Sequence, residues 1–275
     1  MNFNKLILLS GVTGCGKSYI IDIMTSILLS NNSINNFDIY IINSDSRQVY
    51  SEIPTITASP KLINNNNIKY CIYNYLSVFD YYSIAHWLSE MKLIFHKISQ
   101  NIKINNRSHI IFIVGGTPMY LYSFLCGLHD SNNKNIFFWK GLIDGNLNDI
   151  DHNWDAFLLI PDRKKIKETL SQRIYKMIDD GIISEITKIL QDERYIKNCS
   201  KIDNIACGMK GFIDYINGAI SLQKAIDQAI LDTNQYLKHQ YTWFNNSISH
   251  LEGIKTFSQQ NQLIDYMSNK ILKFA

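Results

Sequence analysis

Paired cysteines are missing from this chain. Its five cysteines, Cys15, Cys71, Cys126, Cys199 and Cys207, are odd in number and scattered, and no C-x-x-C spacing points to a zinc site or a redox dithiol. A reducing, cytoplasmic setting is the expectation. Long apolar runs are missing as well: no stretch approaches the roughly 18 residues that a spanning helix needs. The start, Met1 to Val12, holds one lysine and a short apolar run. A secretory signal needs a longer apolar stretch and a small-residue cleavage site, so this segment reads as a buried strand and the protein as soluble, with no membrane partner. Strong charge of either sign is absent, with 27 Lys and Arg against 24 Asp and Glu and a formal net charge of +3. That balance permits a polyanionic partner without demanding one. His86, His96 and His109 show no metal-ligand spacing. Charged residues make up 19% and apolar residues 46% of 275 positions, a composition of globular chains rather than disordered or membrane-embedded ones.

What is present is an alternation of strand and helix. Leu6 to Ser10 is a short apolar run, followed by a glycine-rich loop and the helix-periodic stretch Tyr19 to Leu29. Ile39 to Ile42 gives a second strand, Tyr82 to Ile104 a long helix, and His109 to Val114 a third strand. This order implies a parallel sheet with right-handed crossovers. Asn31 to Asn36 and Asn64 to Asn67 read as surface loops, since asparagine tolerates turn conformations. His129 to Asp155 is polar and aperiodic, the best candidate for a linker or insertion. Phe157 to Ile160 is a further strand, and Lys165 to Ile178, Ile182 to Gln191, Asn204 to Ile216 and Ser221 to Asn245 are candidate helices. The expected organisation is an α/β core over 1–128, a variable insertion over 129–156, and a last core strand with a helical part over 157–275.

Gly11-Val12-Thr13-Gly14-Cys15-Gly16-Lys17-Ser18 satisfies G-x-x-x-x-G-K-S/T between a strand and a helix, the context the pattern requires. Such a loop turns successive N–H groups toward a phosphate, and the following helix adds its positive N-terminal end. Lys17 supplies a mobile charge, and the Ser18 hydroxyl suits Mg²⁺. The same cradle holds a nucleotide such as ATP or any diphosphate leaving group. After the second strand come Asn43, Ser44, Asp45, Ser46, Arg47 and Gln48. Ligands bind at that edge of a parallel sheet, where Asp45 could take a proton while Arg47 and Gln48 hydrogen-bond a base or phosphate. Asp45 as a helix N-cap is the plainer alternative. Gly115, Gly116 and Thr117 repeat the arrangement after the third strand, and three polar loops converging on one edge argue for a site.

Together these residues resemble the tRNA dimethylallyltransferase family. Its phosphate loop, D-S-x-Q and G-G-T-x-x-Y elements correspond to Gly11 to Ser18, Asp45-Ser46-Arg47-Gln48 and Gly115 to Tyr120. Thr57-Ala58-Ser59-Pro60 is similar to its T-A-K-P, Cys207 to Gly211 to its I-G-Y-K-E, and Arg173-Ile174 through Gly181 to its helical R-I segment. Thr233 to Phe244 resembles its T-R-Q-x-A-K-R-Q-x-T-W helix, with Asn234 and His239 standing where the family has arginines.

The resemblance implies a P-loop nucleoside-triphosphate-hydrolase-like sheet flanked by helices, with a small, mostly helical lobe. It implies transfer of a dimethylallyl group from its diphosphate to the exocyclic N6 of an adenine beside the anticodon, at position 37 of tRNAs reading codons that begin with U. Gly11 to Ser18 would cradle the diphosphate, with Ser18 on Mg²⁺. Asp45, Thr13 and Lys17 would be catalytic, and Asp45, Ser46, Arg47, Gln48 and Thr117 would meet the tRNA anticodon stem-loop. A monomer is expected. Arg163, Lys164, Lys165, Lys167, Arg173 and Lys176 could track RNA phosphates or form a solvated helix face. Trp243, Phe244 and the aromatics of Tyr70 to Tyr82 read as core rather than stacking platforms. Two rivals stay open: a catalytically weakened tRNA-binding relative, and a small-molecule kinase, for which no arginine-bearing lid run precedes Gly127.

Overall fold

The computed structural model describes residues 5–30, 37–105, 108–126, 128–129, 135–136 and 154–272. Strand β1 (Lys5–Gly11) leads through the glycine-rich loop into helix α1 (Lys17–Ser30), and β2 (Phe37–Asn43) follows. Both strands are buried along their whole length, as fully covered parallel strands are. β3 (Ile68–Cys71), α2 (Ile84–Asn105), β4 (Ser108–Gly115) and α3 (Pro118–Cys126) come next. Two short antiparallel strands, β5 (Leu128–His129) and β6 (Asn135–Ile136), precede β7 (Trp154–Leu159). The loop expected at Asn31 to Asn36 and most of the expected insertion lie outside the described residues.

The main sheet has six strands in the order β3-β2-β4-β1-β7-β8, all parallel, and helices flank it. Leu9 pairs with Val114 on one side and Phe157 on the other, so β1 lies near the centre of the sheet. Its carboxyl end therefore opens between two neighbours, and so does that of β4. The three polar loops follow β1, β2 and β4, which are adjacent and parallel. Convergence on one edge is a direct outcome of this order.

Helices α4 (Arg163–Asp179), α5 (Ile182–Leu190), α6 (Tyr195–Ile202), α7 (Met209–Ile216) and α8 (Leu222–Trp243) cover that edge. Asp162 caps α4, accepting from the N–H groups of Lys164 and Lys165. Glu185 of α5 ties the helices to the core: its two oxygens accept from the backbone of Thr55 at 2.7 Å and Ile56 at 3.0 Å. The single helix expected over Asn204 to Ile216 is instead a turn and a shorter helix. The backbone at Gly208 takes φ +80°, and an added Cβ there would sit 2.5 Å from that of Ala229. Only glycine lets α7 approach α8 so closely. After α8 a π-helical turn (Phe244–Ile248) buries Phe244 and Ile248 and leads to β8 (Ile254–Phe257) and α9 (Gln260–Ile271). Phe157 to Ile160 is thus not the last core strand, since β8 pairs beyond it.

Candidate active site

Lys17 opens α1, and its ammonium turns back over the loop, donating to the carbonyls of Gly11 and Val12 at 2.9 Å each. Gly16 stands at φ +93°, where an added Cβ would meet the Gln260 amide of α9 at 2.1 Å. The loop's curvature therefore depends on glycine at this point. Ser18 is exposed in the first helical turn, and its hydroxyl has no hydrogen-bond partner among the described residues.

The acidic loop is held by Asn43 at the end of β2. Its amide donates to the carbonyls of Asp45 (2.8 Å) and Ile72 (3.0 Å), and its side-chain oxygen accepts from the Asp45 N–H at 2.7 Å. Trp87 donates to the Asn43 carbonyl at 2.7 Å, so a fully buried indole fixes the same residue from below. Asp45 uses Oδ1 to accept from the Arg47 N–H at 3.0 Å. That is a local Asx turn rather than a helix cap, because no helix follows before α2. The other oxygen, Oδ2, faces Gly116.

Gly115 and Gly116 let the loops meet. A Cβ at Gly115 would lie 2.1 Å from the Ser44 carbonyl carbon. A Cβ at Gly116 would stand 3.2 Å from Asp45 Oδ2, 3.3 Å from Gln240 Nε2 and 3.4 Å from Lys17 Nζ. One point in space thus gathers a carboxylate, an amide and an ammonium from three different elements. Gln240 of α8 is buried and joins two of the loops directly. Its side-chain oxygen accepts from the Thr13 N–H at 2.8 Å, and its amide donates to the Gly116 carbonyl at 2.6 Å. Replacing it by leucine strands one buried donor and one buried acceptor, so a loss of stability of about 2 kcal/mol or more is expected, read as a fall in the denaturant midpoint at unchanged m-value. An unchanged midpoint would show that water replaces the bridge.

Above this point lies a cavity of about 310 Å³. Thr13, Asp45 and Arg47 line it on the sheet side, and Ile56, Leu170, Ile174, Met177, Ile182, Ile205 and Phe212 give it apolar walls. Arg173, Lys210, Asp232, Thr233 and Tyr236 add polar groups from the helices. Burial pulls the Arg173 guanidinium below its ordinary range, while the nearby Asp45 charge partly restores it. Burial also pushes the Cys207 thiol up to about 11, so it stays protonated at neutral pH. The Tyr236 phenol is raised by burial and by the Asp45 charge, with the Thr117 hydroxyl as its neighbour.

The structure brings Thr13, Lys17, Asp45 and Arg47 to this point or its cavity. Thr117 reaches the acidic loop: its hydroxyl accepts from the Ser46 N–H at 2.9 Å and donates to Ser46 Oγ at 3.2 Å. Gln48 donates to the carbonyls of Thr57 and Ala58 at 3.3 and 3.1 Å, holding the following turn. Of the basic cluster, Arg163, Lys164, Lys165, Lys167 and Lys176 are exposed along α4, whereas Arg173 turns inward. Phe244 is fully buried and Trp243 packs edge-on against Tyr122, but among Tyr70 to Tyr82 the reading as core fails for Tyr75 and Tyr81, 48% and 76% exposed. Gln240, Tyr236 and Thr233 were missed as site residues. Their common face on α8, at spacings of three and four, was the available signal.

A glycine-rich loop, an acidic loop and a G-G-T loop at the carboxyl edge of a parallel sheet define a P-loop-like α/β protein with a helical cover. The chain belongs to the IPP transferase family, whose model matches residues 48–138 and 142–247. It is similar to the tRNA dimethylallyltransferase of Ehrlichia canis (strain Jake), 26% identical over 320 aligned residues covering 97% of this chain and 99% of the relative. The enzyme of that name from Rickettsia conorii is 29% identical, over 89% of this chain and 77% of its own. Among solved structures, the full-length tRNA isopentenylpyrophosphate transferase of Bacillus halodurans superposes with a TM-score of 0.69 at 20% identity, covering 98% and 96% of the two chains. A eukaryotic dimethylallyltransferase acting on tRNA gives the same TM-score and identity over 98% of this chain and 77% of that one. At such identity these two likenesses speak to the fold. No helix among the described residues is long and apolar enough to cross a membrane.

Proposed function

We propose that the protein transfers the dimethylallyl group of dimethylallyl diphosphate to N6 of the adenine at position 37 in the anticodon loop of tRNAs reading codons that begin with U. The observation that carries this reading is the cavity whose floor is polar, at Thr13 and Asp45, and whose walls hold an apolar stretch of Ile56, Leu170, Ile174, Met177, Ile182, Ile205 and Phe212. A five-carbon allyl group and a purine ring suit apolar walls. A diphosphate and a departing proton suit the floor.

In this reading the diphosphate lies in the loop 11–18, where backbone amides and Lys17 take up the negative charge that develops as the allylic C–O bond breaks. The Thr13 hydroxyl, in the wall of the same cavity, would lie near the bridging oxygen. Adenine N6 forms the new C–N bond and gives up one proton to Asp45, since its lone pair is delocalised into the ring and it is a poor nucleophile unaided. The anticodon loop is single-stranded, so taking the base out of its stack is inexpensive.

Mg²⁺ fits this arrangement. Ser18 offers an exposed, uncommitted hydroxyl, and no cluster of three acidic, histidine or cysteine side chains among the described residues would bind a metal alone. That donor set suits an ion that arrives with its diphosphate and keeps several waters. When bound it would add electrostatic stabilisation to the leaving group. The apolar stretch of the wall suits an allyl donor, a feature that phosphoryl transfer does not itself require.

The test is direct. The protein is incubated with unmodified tRNA carrying adenosine at position 37, labelled dimethylallyl diphosphate and Mg²⁺, and the RNA is digested. A prenylated adenosine is the expected product. Its absence with folded protein and a cognate tRNA would overturn the proposal and favour the tRNA-binding relative.

A further inference from the structure

A hollow of about 10 Å³ lies between α1 and the sheet, walled by Ser18 and Asp22 of α1, Ile41 of β2, Val114 of β4, Tyr70 of β3 and Tyr73 just beyond it. That is about the room one water needs. Ser18 and Asp22 stand four apart on one face of α1. Helical side chains lean toward the N-terminus, so the Asp22 carboxylate leans toward Ser18. Neither side chain makes a hydrogen bond or ion pair with a described residue. Tyr73 is 8% exposed, and its hydroxyl likewise finds no hydrogen-bond partner among the described residues. The charges of Asp45 and Asp22 both act on its phenol.

We propose that this hollow seats one water of the Mg²⁺ shell, with the Asp22 carboxylate and the Tyr73 phenol oxygen accepting its two protons. Both are then positioning residues for the ion that Ser18 receives with the diphosphate. The inference rests on the reading of Ser18 given above.

Three observations support it. A water bound to a divalent cation is a strong donor, and groups that accept its protons fix its place. The hollow offers a carboxylate and a phenol oxygen, both uncommitted. Asp22 keeps contact with solvent, yet the cover it has raises its carboxyl, and no cation offsets that burial. A buried tyrosine hydroxyl ordinarily finds a partner, and a water in the hollow supplies one. The Tyr73 ring is also held in place. It meets that of Tyr70 edge-on, with centroids 5.9 Å apart, and its backbone stands between Ile72 at φ +64° and Asn74 at φ +47°. A β-branched residue rarely adopts that conformation. Here the Ile72 carbonyl accepts from the Asn43 amide, and the Asn74 N–H donates to the Gln48 carbonyl, each at 3.0 Å. The asparagine that fixes the acidic loop thus fixes the Tyr73 turn as well. A bare cation does not suit the hollow, because Ile41 and Val114 leave it a single carboxylate and Mg²⁺ sheds its waters reluctantly.

The experiment measures inorganic diphosphate affinity by calorimetry across a Mg²⁺ titration, with the full chain. The wild-type protein should bind diphosphate more tightly as Mg²⁺ rises. Asp22→Asn should need at least about tenfold more Mg²⁺ for the same gain, the loss usual when a group behind a metal ligand is changed. Tyr73→Phe, which alters no charge, should need about threefold more. Affinity for diphosphate without Mg²⁺ should be the same in all three, which also serves as the folding control. Because one water is shared, Tyr73→Phe should add less than about twofold once Asp22→Asn is present. Unchanged Mg²⁺ dependence in Asp22→Asn overturns the assignment. So does a loss in Asp22→Asn with none in Tyr73→Phe, which would mark a long-range charge effect, or two losses that simply multiply. Failure of the underlying reading looks different: the wild-type protein then binds diphosphate equally well with and without Mg²⁺, and the seat falls with it.

Discussion

Asp45→Asn should leave the protein folded and diphosphate affinity unchanged while lowering kcat by about 10²–10⁴, the range that a positioned proton acceptor contributes. The geometry makes asparagine the informative replacement. Asp45 Oδ1 accepts from the Arg47 N–H at 3.0 Å, and the Asp45 backbone is held on both sides by Asn43. An asparagine oxygen can accept the same bond, so the turn survives. What is lost is the second oxygen, the one facing Gly116 and the cavity. Asp45→Ala removes the turn as well and should be at least as inactive, with an added loss of stability. Single-turnover prenylation with saturating tRNA and donor measures the chemical step. If Asp45→Asn retains near-wild-type kcat, the proton goes elsewhere and the carboxylate is structural.

That prediction was legible at residue level because the motif names Asp45 and strand order places it. The same holds for the phosphate loop, whose strand, glycines and helix are contiguous in sequence, so their geometry is local. The long elements were legible for similar reasons: α2 shows its buried face as Trp87, Leu88, Met91 and Phe95, and β1 and β4 are unbroken apolar runs. Elements that depend on distant partners were not. β3 is four residues at the sheet edge inside an aromatic stretch, and β8 shows partial burial at only two of its four positions, so neither carries a clear period. α9 did carry one, Leu263, Met267 and Ile271 at four-residue spacing.

The site divides in the same way. Gln240 lies 227 residues from Thr13 and 124 from Gly116, and nothing local marks it as the bridge between them. Arg173 reads in sequence as one more member of a basic stripe. Only the turn of α4 separates it from its exposed neighbours and sends it into the cavity. Thr117 and Gln48 differ again, because their motif positions are plain but the hydrogen bonds they make are to the protein's own loops. A loop clamped in this way presents Asp45 in one orientation before any substrate arrives. Such preorganisation is what an electrostatic or proton-transfer role requires.

Lys17→Ala should weaken diphosphate binding by tenfold or more and lower kcat by about 10²–10³, the loss typical when one preorganised donor to a developing anion is removed. The ammonium rests 2.9 Å from two loop carbonyls, so it already stands inside the curve of the loop rather than in solvent. A short reorientation would place it on a phosphate oxygen, with little ordering cost. Arginine should not rescue it. Nζ stands 3.4 Å from the space that a Gly116 Cβ would fill, with Asp45 and Gln240 at similar distances from that point, and a planar guanidinium has no room there. Thermal unfolding gives the cleanest measurement, because a ligand that binds only the folded state stabilises it by about 2.7 kcal/mol at one hundred times its Kd. Inorganic diphosphate with Mg²⁺ should raise the wild-type midpoint by several degrees and leave Lys17→Ala almost unmoved at the same concentration. An equal rise in both proteins would place the diphosphate outside the loop. Such a result would also remove the basis for assigning Thr13 and Ser18 to the leaving group, since their roles depend on a diphosphate seated between Lys17 and the head of α1.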